Sequence, residues 1–357
     1  MKKVFFVFII IFIFFYLLAF DKTKNIATFS IVAYDSLMEE WGVAVQSKFF
    51  AVGAVVPQAK AGCGAIATQA WGNTTFKEKA IKLFSEGYCA KEVIELLIKD
   101  DPDSAHRQIG VVDRFGNAYA FTGKNCSYYA GHIIGKNFTV QGNILASEEV
   151  LKSMASAFEN TTGPLAIKLI EALKAGQKAG GDSRGMQSAA LLVVSKNGGY
   201  SGFDDRMIDI RIDDSDKPIE ELERLYYLNE ETFLVSSYIR ITIDALKEKK
   251  EKKAEESFKR VSQILEKYPQ SADMYNSVAW EMAINDFKLE KALDYAKKAI
   301  ELKKDDGNIW DTLGEIYFRM KNIKKAIEAE KRAIELSPEE KLFKQKLTEW
   351  QNLLKKK

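Results

Sequence analysis

The sequence is poor in the residues that build metal and redox centres, with three cysteines and two histidines in 357 residues. Cys63, Cys89 and Cys126 form no CxxC pair and no zinc-like spacing. With only His106 and His132, a histidine-rich metal centre is excluded. Cys126 and His132 stand close together, but two ligands do not make a site, and both read as structural. One disulfide with a spare thiol is open to this chain in an oxidising compartment, and the sequence does not choose the pair. No P-loop and no H-E-x-x-H occurs. Neither a metal nor a cofactor is therefore expected. An excess of one charge is also missing: 52 basic residues face 50 acidic ones, so nothing calls for nucleic acid as a partner. The final Lys355-Lys356-Lys357 reads as a solvated helix end.

What is present describes a globular protein, with 46% hydrophobic and 29% charged residues over a length that suits two domains. Lys2-Lys3 precedes an unbroken apolar run from Val4 to Phe20. A basic start, an apolar stretch and then polar sequence is the pattern of a secretory signal. The run is also close to the roughly 20 residues that span a bilayer, so residues 1–27 read either as a signal peptide or as a retained anchor. In both cases the lysines stay cytoplasmic and the rest is translocated, which gives an extracytoplasmic location, with membrane association only if the segment is kept. Cleavage after Ala27, with Asn25 at the third position back, would expose Thr28, and a second option follows Ala19.

Residues 28–227 read as the first domain. Thr28–Ala33 and Trp41–Ser47 have the composition of a hairpin, with Tyr34–Glu40 between them. Further strands are expected at Ala54–Val56, Gly64–Thr68, Gln108–Asp113, Ala118–Thr122, Ser188–Ser195 and Met207–Ile212. Apolar spacing of three and four predicts helices at Phe76–Ser85, Ala90–Lys99 and Glu148–Phe158, and from Pro164 to about Lys178. Strand runs interleaved with helix pairs imply an α+β domain with helices packed on antiparallel sheets.

The blocks Thr28-Phe-Ser-Ile-Val-Ala, Gly42-Val-Ala-Val-Gln-Ser-Lys, Ala51-Val-Gly-Ala-Val-Val-Pro and Ala61-Gly-Cys-Gly-Ala-Ile-Ala-Thr-Gln resemble the domain of unknown function 1028 family. So do His106-Arg-Gln-Ile-Gly-Val-Val-Asp, Gln141-Gly-Asn-Ile-Leu-Ala and Gly180-Gly-Asp-Ser-Arg-Gly-Met-Gln-Ser-Ala-Ala, in the same order along roughly 200 residues. The resemblance implies kinship with the N-terminal nucleophile hydrolases and a four-layer αββα sandwich. It also implies a chemistry, in which the first residue of the mature chain attacks an amide with its hydroxyl while its free α-amine is the base. That amine has a reference pKa of about 7.7–8.0, nearer neutrality than a lysine at about 10.4. Thr28 opens the resemblance and is the residue that cleavage after Ala27 exposes. Without the resemblance, a threonine at a strand start is ordinary.

Other candidates follow from the same chemistry. A lysine near the nucleophile would lower the amine's pKa, and Lys48 and Lys60 stand at strand ends. Asn143 and Gln69 are candidate oxyanion donors, with buried loop-stitching amides as the alternative. In the glycine-rich loop Gly180–Gly185, Arg184 either grips a substrate carboxylate or pairs with Asp182. Two motif matches fail on context. Gly181-Asp182-Ser183-Arg184-Gly185 follows a helix and precedes a strand, the reverse of a nucleophile elbow. Gly62-Cys63-Gly64-Ala65-Ile66-Ala67 opens no helix on which a pyrophosphate would sit.

Residues 230–357 are poor in glycine and become lysine- and glutamate-rich. Trp310-x-x-Leu313-Gly314-x-x-Tyr317 with Ala326, Ala333 and Pro338 follows the 34-residue tetratricopeptide pattern, with Glu330 where a large apolar residue is usual. Asn276, Ala279, Trp280, Ala283, Ala292, Ala296 and Ala299 repeat the pattern upstream. Thr232–Tyr268 reads as a degenerate first repeat and Glu339–Lys355 as a capping helix. Such an all-α solenoid offers a surface for a peptide or protein partner, or for self-association. Two readings of the whole follow. One is an exported amidohydrolase acting on a small amide or peptide. The other is a non-catalytic extracytoplasmic binding or scaffold protein.

Overall fold

The computed structural model describes residues 28–355, so the apolar leader and the last two lysines lie outside the described residues. The chain divides into two compact units. The first holds the described residues up to Lys196 together with Ile208–Tyr226, and the second holds Asn197–Met207 and the chain from Tyr227 onward.

In the first unit β1 (Thr28–Asp35) lies between β2 (Glu40–Ser47) and β8 (Phe138–Asn143) in a six-stranded sheet that is completed by β7 (Gly131–Gly135), β9 (Ser188–Val194) and β10 (Arg206–Ile212). A four-stranded sheet orders β3 (Pro57–Lys60), β4 (Gly64–Ala70), β5 (Arg107–Asp113) and β6 (Ala118–Thr122). The strand period of two gives β1 two different faces. Phe29 turns toward the helices, its ring approaching Gly176, while Thr28, Ser30 and Val32 turn toward the other sheet. Helices α2 (Thr75–Glu86) and α3 (Ala90–Ile98) cover the smaller sheet, and α4 (Glu149–Asn160) and α5 (Leu165–Lys178) cover the larger. The outcome is the αββα sandwich that the sequence led us to expect. Helix α5 crosses β2 so closely that a Cβ on Gly42 would stand 2.5 Å from Leu169 Cδ1.

Two details differ from the sequence reading. The strand expected at Ala54–Val56 is instead a short helix, α1 (Val52–Val55). Ala51 turns the chain in the left-handed region (φ 53°), Val52 N donates to Ser188 Oγ, and Gly53 lets the helix approach Ala190. The hairpin β7–β8 had no alternation signal, because Gly131, Gly135 and Gly142 break it. Its two-residue turn, Lys136-Asn137, is set by Asn137 at φ 66°.

The interior between the sheets has two halves. One is apolar, with Val32, Val43, Val45, Ala65, Val112 and Leu192 among its members. The other is polar and fully buried, containing Thr28, Ser30, Gln69, Gln108, Gln141 and Asn143. Gly110 makes this second half possible, since a Cβ there would meet Gln141 Oε1 at 2.1 Å and Thr139 Oγ1 at 2.6 Å.

After α6 (Pro218–Asn229) the second unit is built from helix pairs: α7 (Val235–Lys247) with α8 (Glu251–Lys267), α9 (Ala272–Ile284) with α10 (Leu289–Leu302), and α11 (Gly307–Arg319) with α12 (Ile323–Leu336). A final helix, α13 (Lys341–Lys355), packs on α12. The turns inside the pairs carry Lys249, Asp286 and Lys321 in the left-handed region. Asp306 and Asn322 cap α11 and α12 by accepting from Asn308 N and Lys325 N. Ala279, Ala283, Ala292, Ala296, Ala326 and Ala333 are buried where the helices touch. This is the tetratricopeptide architecture, with the expected capping helix in place.

Glu330 breaks the apolar rule of that core. It is wholly buried, neither carboxylate oxygen has a hydrogen-bond partner, and it faces Asp311 and Glu315 of α11 and Lys346 of α13. Lys346 is drawn away from it, 2.6 Å from Asp311 Oδ1 and 3.6 Å from Glu315 Oε2, while Arg319 pairs with Glu315 at 2.8 Å. Burial, then the Asp311 charge, push Glu330 up to about 8.

A group whose folded pKa exceeds its unfolded value near 4.5 contributes stability that is whole below pH 4.5 and is lost as pH rises to about 8. Glu330→Gln is therefore expected to stabilise the helical unit at pH 9 by about 1–3 kcal/mol and to flatten its stability between pH 4.5 and 8, as read by urea unfolding. Gly110→Ala is expected to destabilise the sandwich by about 1–3 kcal/mol in the same measurement, through the clash with Gln141.

Candidate active site

Thr28 is the first residue of β1 and pairs in register with Ser47 on β2 and Asn143 on β8. Its hydroxyl is buried and donates to Ser47 Oγ at 3.2 Å. Its carbonyl accepts from Gln69 Nε2 at 3.2 Å, a bond that joins the two sheets. Gln69 Nε2 also reaches Gln108 Oε1 at 2.8 Å and Gln141 O at 3.3 Å, and its Oε1 accepts from Ser30 Oγ at 2.6 Å. Gln141 Nε2 donates to Ser30 Oγ at 2.7 Å, and Asn143 Nδ2 donates to Gln108 Oε1 at 3.0 Å. Gln108 Nε2 in turn donates to Gly142 O at 2.8 Å and to Gly131 O and Thr122 Oγ1 at 3.0 Å. Thr28, Gln69 and Asn143 are thus brought together. Both amides are engaged within the protein.

The remaining candidates separate. Lys48 stands one residue past Ser47. Its backbone N–H donates to Asp182 Oδ2 at 2.9 Å, and its Nζ donates to Met186 O at 3.0 Å. Arg184 lies on Asp182, with Nε 3.1 Å from Oδ1 and Nη2 2.9 Å from Oδ2, and its own N–H bonds the same carboxylate at 2.9 Å. Of the two readings of this loop, the structure adopts the internal pair, in which a buried Asp182 carboxylate ties Gly180–Gly185 to the end of β2. Lys60 does not join the cluster. It pairs with Gly64, five residues along β4 from Gln69, which at about 3.3 Å per residue puts it roughly 17 Å away.

Beside Asn143 the surface dips into a shallow, water-sized pocket lined by Trp71, His106, Asn125, Cys126, Ser127 and Asn143, with Ala70 and Ile144. The Trp71 and His106 rings stack with centroids 4.3 Å apart and 15° between planes. Arg107 fixes this wall by forking onto Asp101 (2.7 and 3.1 Å) and donating to Trp71 O. The hydrogen bond to Arg107 holds Asp101 below its ordinary pKa. Burial pushes the Cys126 thiol up, and its Sγ donates to Arg107 O at 3.4 Å, so it is a neutral structural thiol as expected. Cys63, Cys89 and Cys126 are all free in the structure.

Ser30, Ser47, Gln108 and Gln141 escaped the sequence reading. Their signal is an amide or hydroxyl at an inward position of an otherwise apolar strand, as in Arg107-Gln-Ile-Gly-Val-Val-Asp. His106 and Trp71 escaped because neither belongs to a strand and the pocket forms only across the ends of β4, β5 and β8.

The profile of a family of unknown function, DUF1028, matches residues 28–222, more than half of the chain. The crystal structure of a DUF1028 protein from Silicibacter pomeroyi is similar at 30% identity and TM-score 0.52, covering 56% of this chain and 84% of that one. Helical likenesses, at TM-scores of 0.28, are to the first tetratricopeptide domain of Spaghetti (RPAP3), solved with an HSP90 peptide (15% identity, 34% of this chain, 92% of that one), and to the Sgt2 tetratricopeptide domain from Aspergillus fumigatus (20%, 34% and 79%). No curated protein matches the chain. The match from Thr28 to Leu222, together with the sandwich it describes, makes this chain a member of the DUF1028 family, extended by a tetratricopeptide-like helical unit.

Proposed function

We propose that the protein is an exported amidohydrolase whose mature chain begins at Thr28. The observation that carries this reading is positional. Thr28 heads a strand inside the larger sheet, at the polar end of the sandwich and one strand away from the pocket beside Asn143. The family match also starts at this residue. Export by way of the Lys2–Phe20 segment and cleavage after Ala27 would free its α-amine.

In that state Thr28 Oγ1 adds to the carbonyl carbon of a substrate amide and passes its proton to the α-amine, directly or through a water. The negative charge forms on the former carbonyl oxygen, for which the Asn143 and Gln69 amides would be donors once released from Gln108. Collapse breaks the C–N bond, and the leaving amine takes the proton from the ammonium. Water, deprotonated by the same amine, then hydrolyses the threonyl ester and restores the hydroxyl. Lys48, one residue past the partner of Thr28, contributes positive charge that favours the neutral amine. The helical unit belongs to a fold used for protein interaction and would bring a peptide or protein partner.

One observation favours the alternative of a binding or scaffold protein. Thr28 is wholly buried and both candidate oxyanion amides are paired internally. Intact mass and terminal sequencing of the protein from its host decide between the two. The amidohydrolase requires a chain starting at Thr28, whose activity on a panel of small amides falls by at least about 10³-fold in Thr28→Ala and survives in Thr28→Ser. Its kcat/KM should rise with pH through an apparent pKa at or below about 8, the reference value of an α-amine. A mature chain that begins at Met1, Phe20 or Asp21 supports the binding reading.

A further inference from the structure

The helical unit holds a carboxylate that neither the catalytic reading nor the repeat pattern uses. Glu330 on α12 is wholly buried, and neither of its oxygens has a hydrogen-bond partner among the described residues. The charged groups that face it are Asp311 and Glu315 of α11 and Lys346 of α13, with Arg319 behind Glu315. From α9 the Trp280 ring lies 4.8 Å from Lys346 Nζ. Two of the three carboxylates have a cation of their own: Lys346 Nζ is 2.6 Å from Asp311 Oδ1, and Arg319 Nε is 2.8 Å from Glu315 Oε1. Glu330 is the carboxylate left over, so the cluster is neutral only while Glu330 keeps a proton. Protonated, it has an acceptor in Asp311; charged, it has no donor. Lys346 cannot serve both, because turning to Glu330 would strand Asp311 in the same dry seam.

Helix α13 closes this seam and is lightly held. Of its 15 residues only Phe343 and Trp350 are buried. A Cβ placed on Gly314 would stand 3.0 Å from Glu330 Oε2 and 3.2 Å from Trp350 Cζ3, so the indole and the carboxyl group are neighbours. Trp350 stacks on Phe318 with centroids 5.1 Å apart, and Tyr317, Ile323 and Ile327 complete the apolar patch beneath it. A terminal helix with so few buried side chains opens at lower cost than the pairs behind it. We propose that α13 is a pH-released cap: loss of the Glu330 proton to solvent undocks this helix, lets water reach the carboxylate and bares the apolar end of α11 and α12, while the earlier pairs stay folded. The direction follows from the environment of the carboxyl group. Burial, and then the Asp311 charge, raise Glu330 from 4.5 to about 8, so docking is fully favoured below pH 4.5 and loses that advantage as pH rises to about 8. The bared face is a place for one more helix to stack, as each repeat stacks on the next.

The test is hydrogen exchange of the whole protein, read peptide by peptide by mass spectrometry between about pH 5 and about pH 9 and corrected for the base-catalysed intrinsic rate. Peptides from α13 should lose protection by up to about 10-fold per pH unit until about pH 8 and level off above it, while those from α9 and α10 change much less. In Glu330→Gln the protection of α13 should stay constant across this range. Glu330→Leu, which restores the apolar residue of the repeat pattern, should behave in the same way and serves if the glutamine disturbs folding. Three results would overturn the assignment: α13 protection that ignores pH in the unmutated protein, the same pH dependence in both variants, or protection lost in step with α9 and α10.

Discussion

Everything in the first unit depends on how the buried amides between the two sheets are paired. A buried amide left without partners costs about 1–3 kcal/mol, so four of them in one layer are tolerable only as a closed network. Gln69, Gln108, Gln141 and Asn143 come close to meeting that demand by bonding one another, Ser30 and nearby backbone, leaving Gln141 Oε1 without a hydrogen-bond partner among the described residues. The Ser30–Gln69, Gln69–Thr28, Gln108–Gly142 and Asn143–Gln108 bonds cross from sheet to sheet, so they fix the register of the sandwich as well as its spacing. The glycine at position 110 is part of the same solution, because the Gln141 side chain occupies the space a Cβ would take.

The same network explains the location of the candidate site. The polar layer ends at Thr28 and Asn143, both of them buried. Ser47 and Asp182 complete the rim, with Asp182 holding the glycine-rich loop against the end of β2 through the Lys48 N–H. Arg184 neutralises that buried carboxylate and fixes the loop at this end.

The second unit obeys a different constraint, the close approach of helices. Alanines at 279, 283, 292, 296, 326 and 333 give the backbones room to pack. Glu330 interrupts this apolar seam and faces two carboxylates and one lysine, so the junction between the last pair and the capping helix is the electrostatically poised part of the solenoid.

Much of this was legible in the sequence, and for definite reasons. Strands such as Thr28–Asp35 and helices such as Ile323–Leu336 announce themselves by local periodicity, and the 34-residue spacing of Ala279 and Leu313, and of Ala292 and Ala326, repeats one helix pair. Thr28 was singled out because the role proposed for it follows from its place along the chain. Tertiary structure alone decided that Asn143, Gln69 and Thr28 share one end of the sandwich while Lys60 lies at the other. It alone placed Arg184 on Asp182, turned Val52–Val55 into a helix, and assembled a small pocket from Trp71, His106 and Asn125. Periodicity is a property of neighbours along the chain, whereas pairing of buried polar groups such as Asn143 with Gln108 and Gln141 with Ser30 is settled by residues 35 and 111 positions apart, which meet only once the chain has folded.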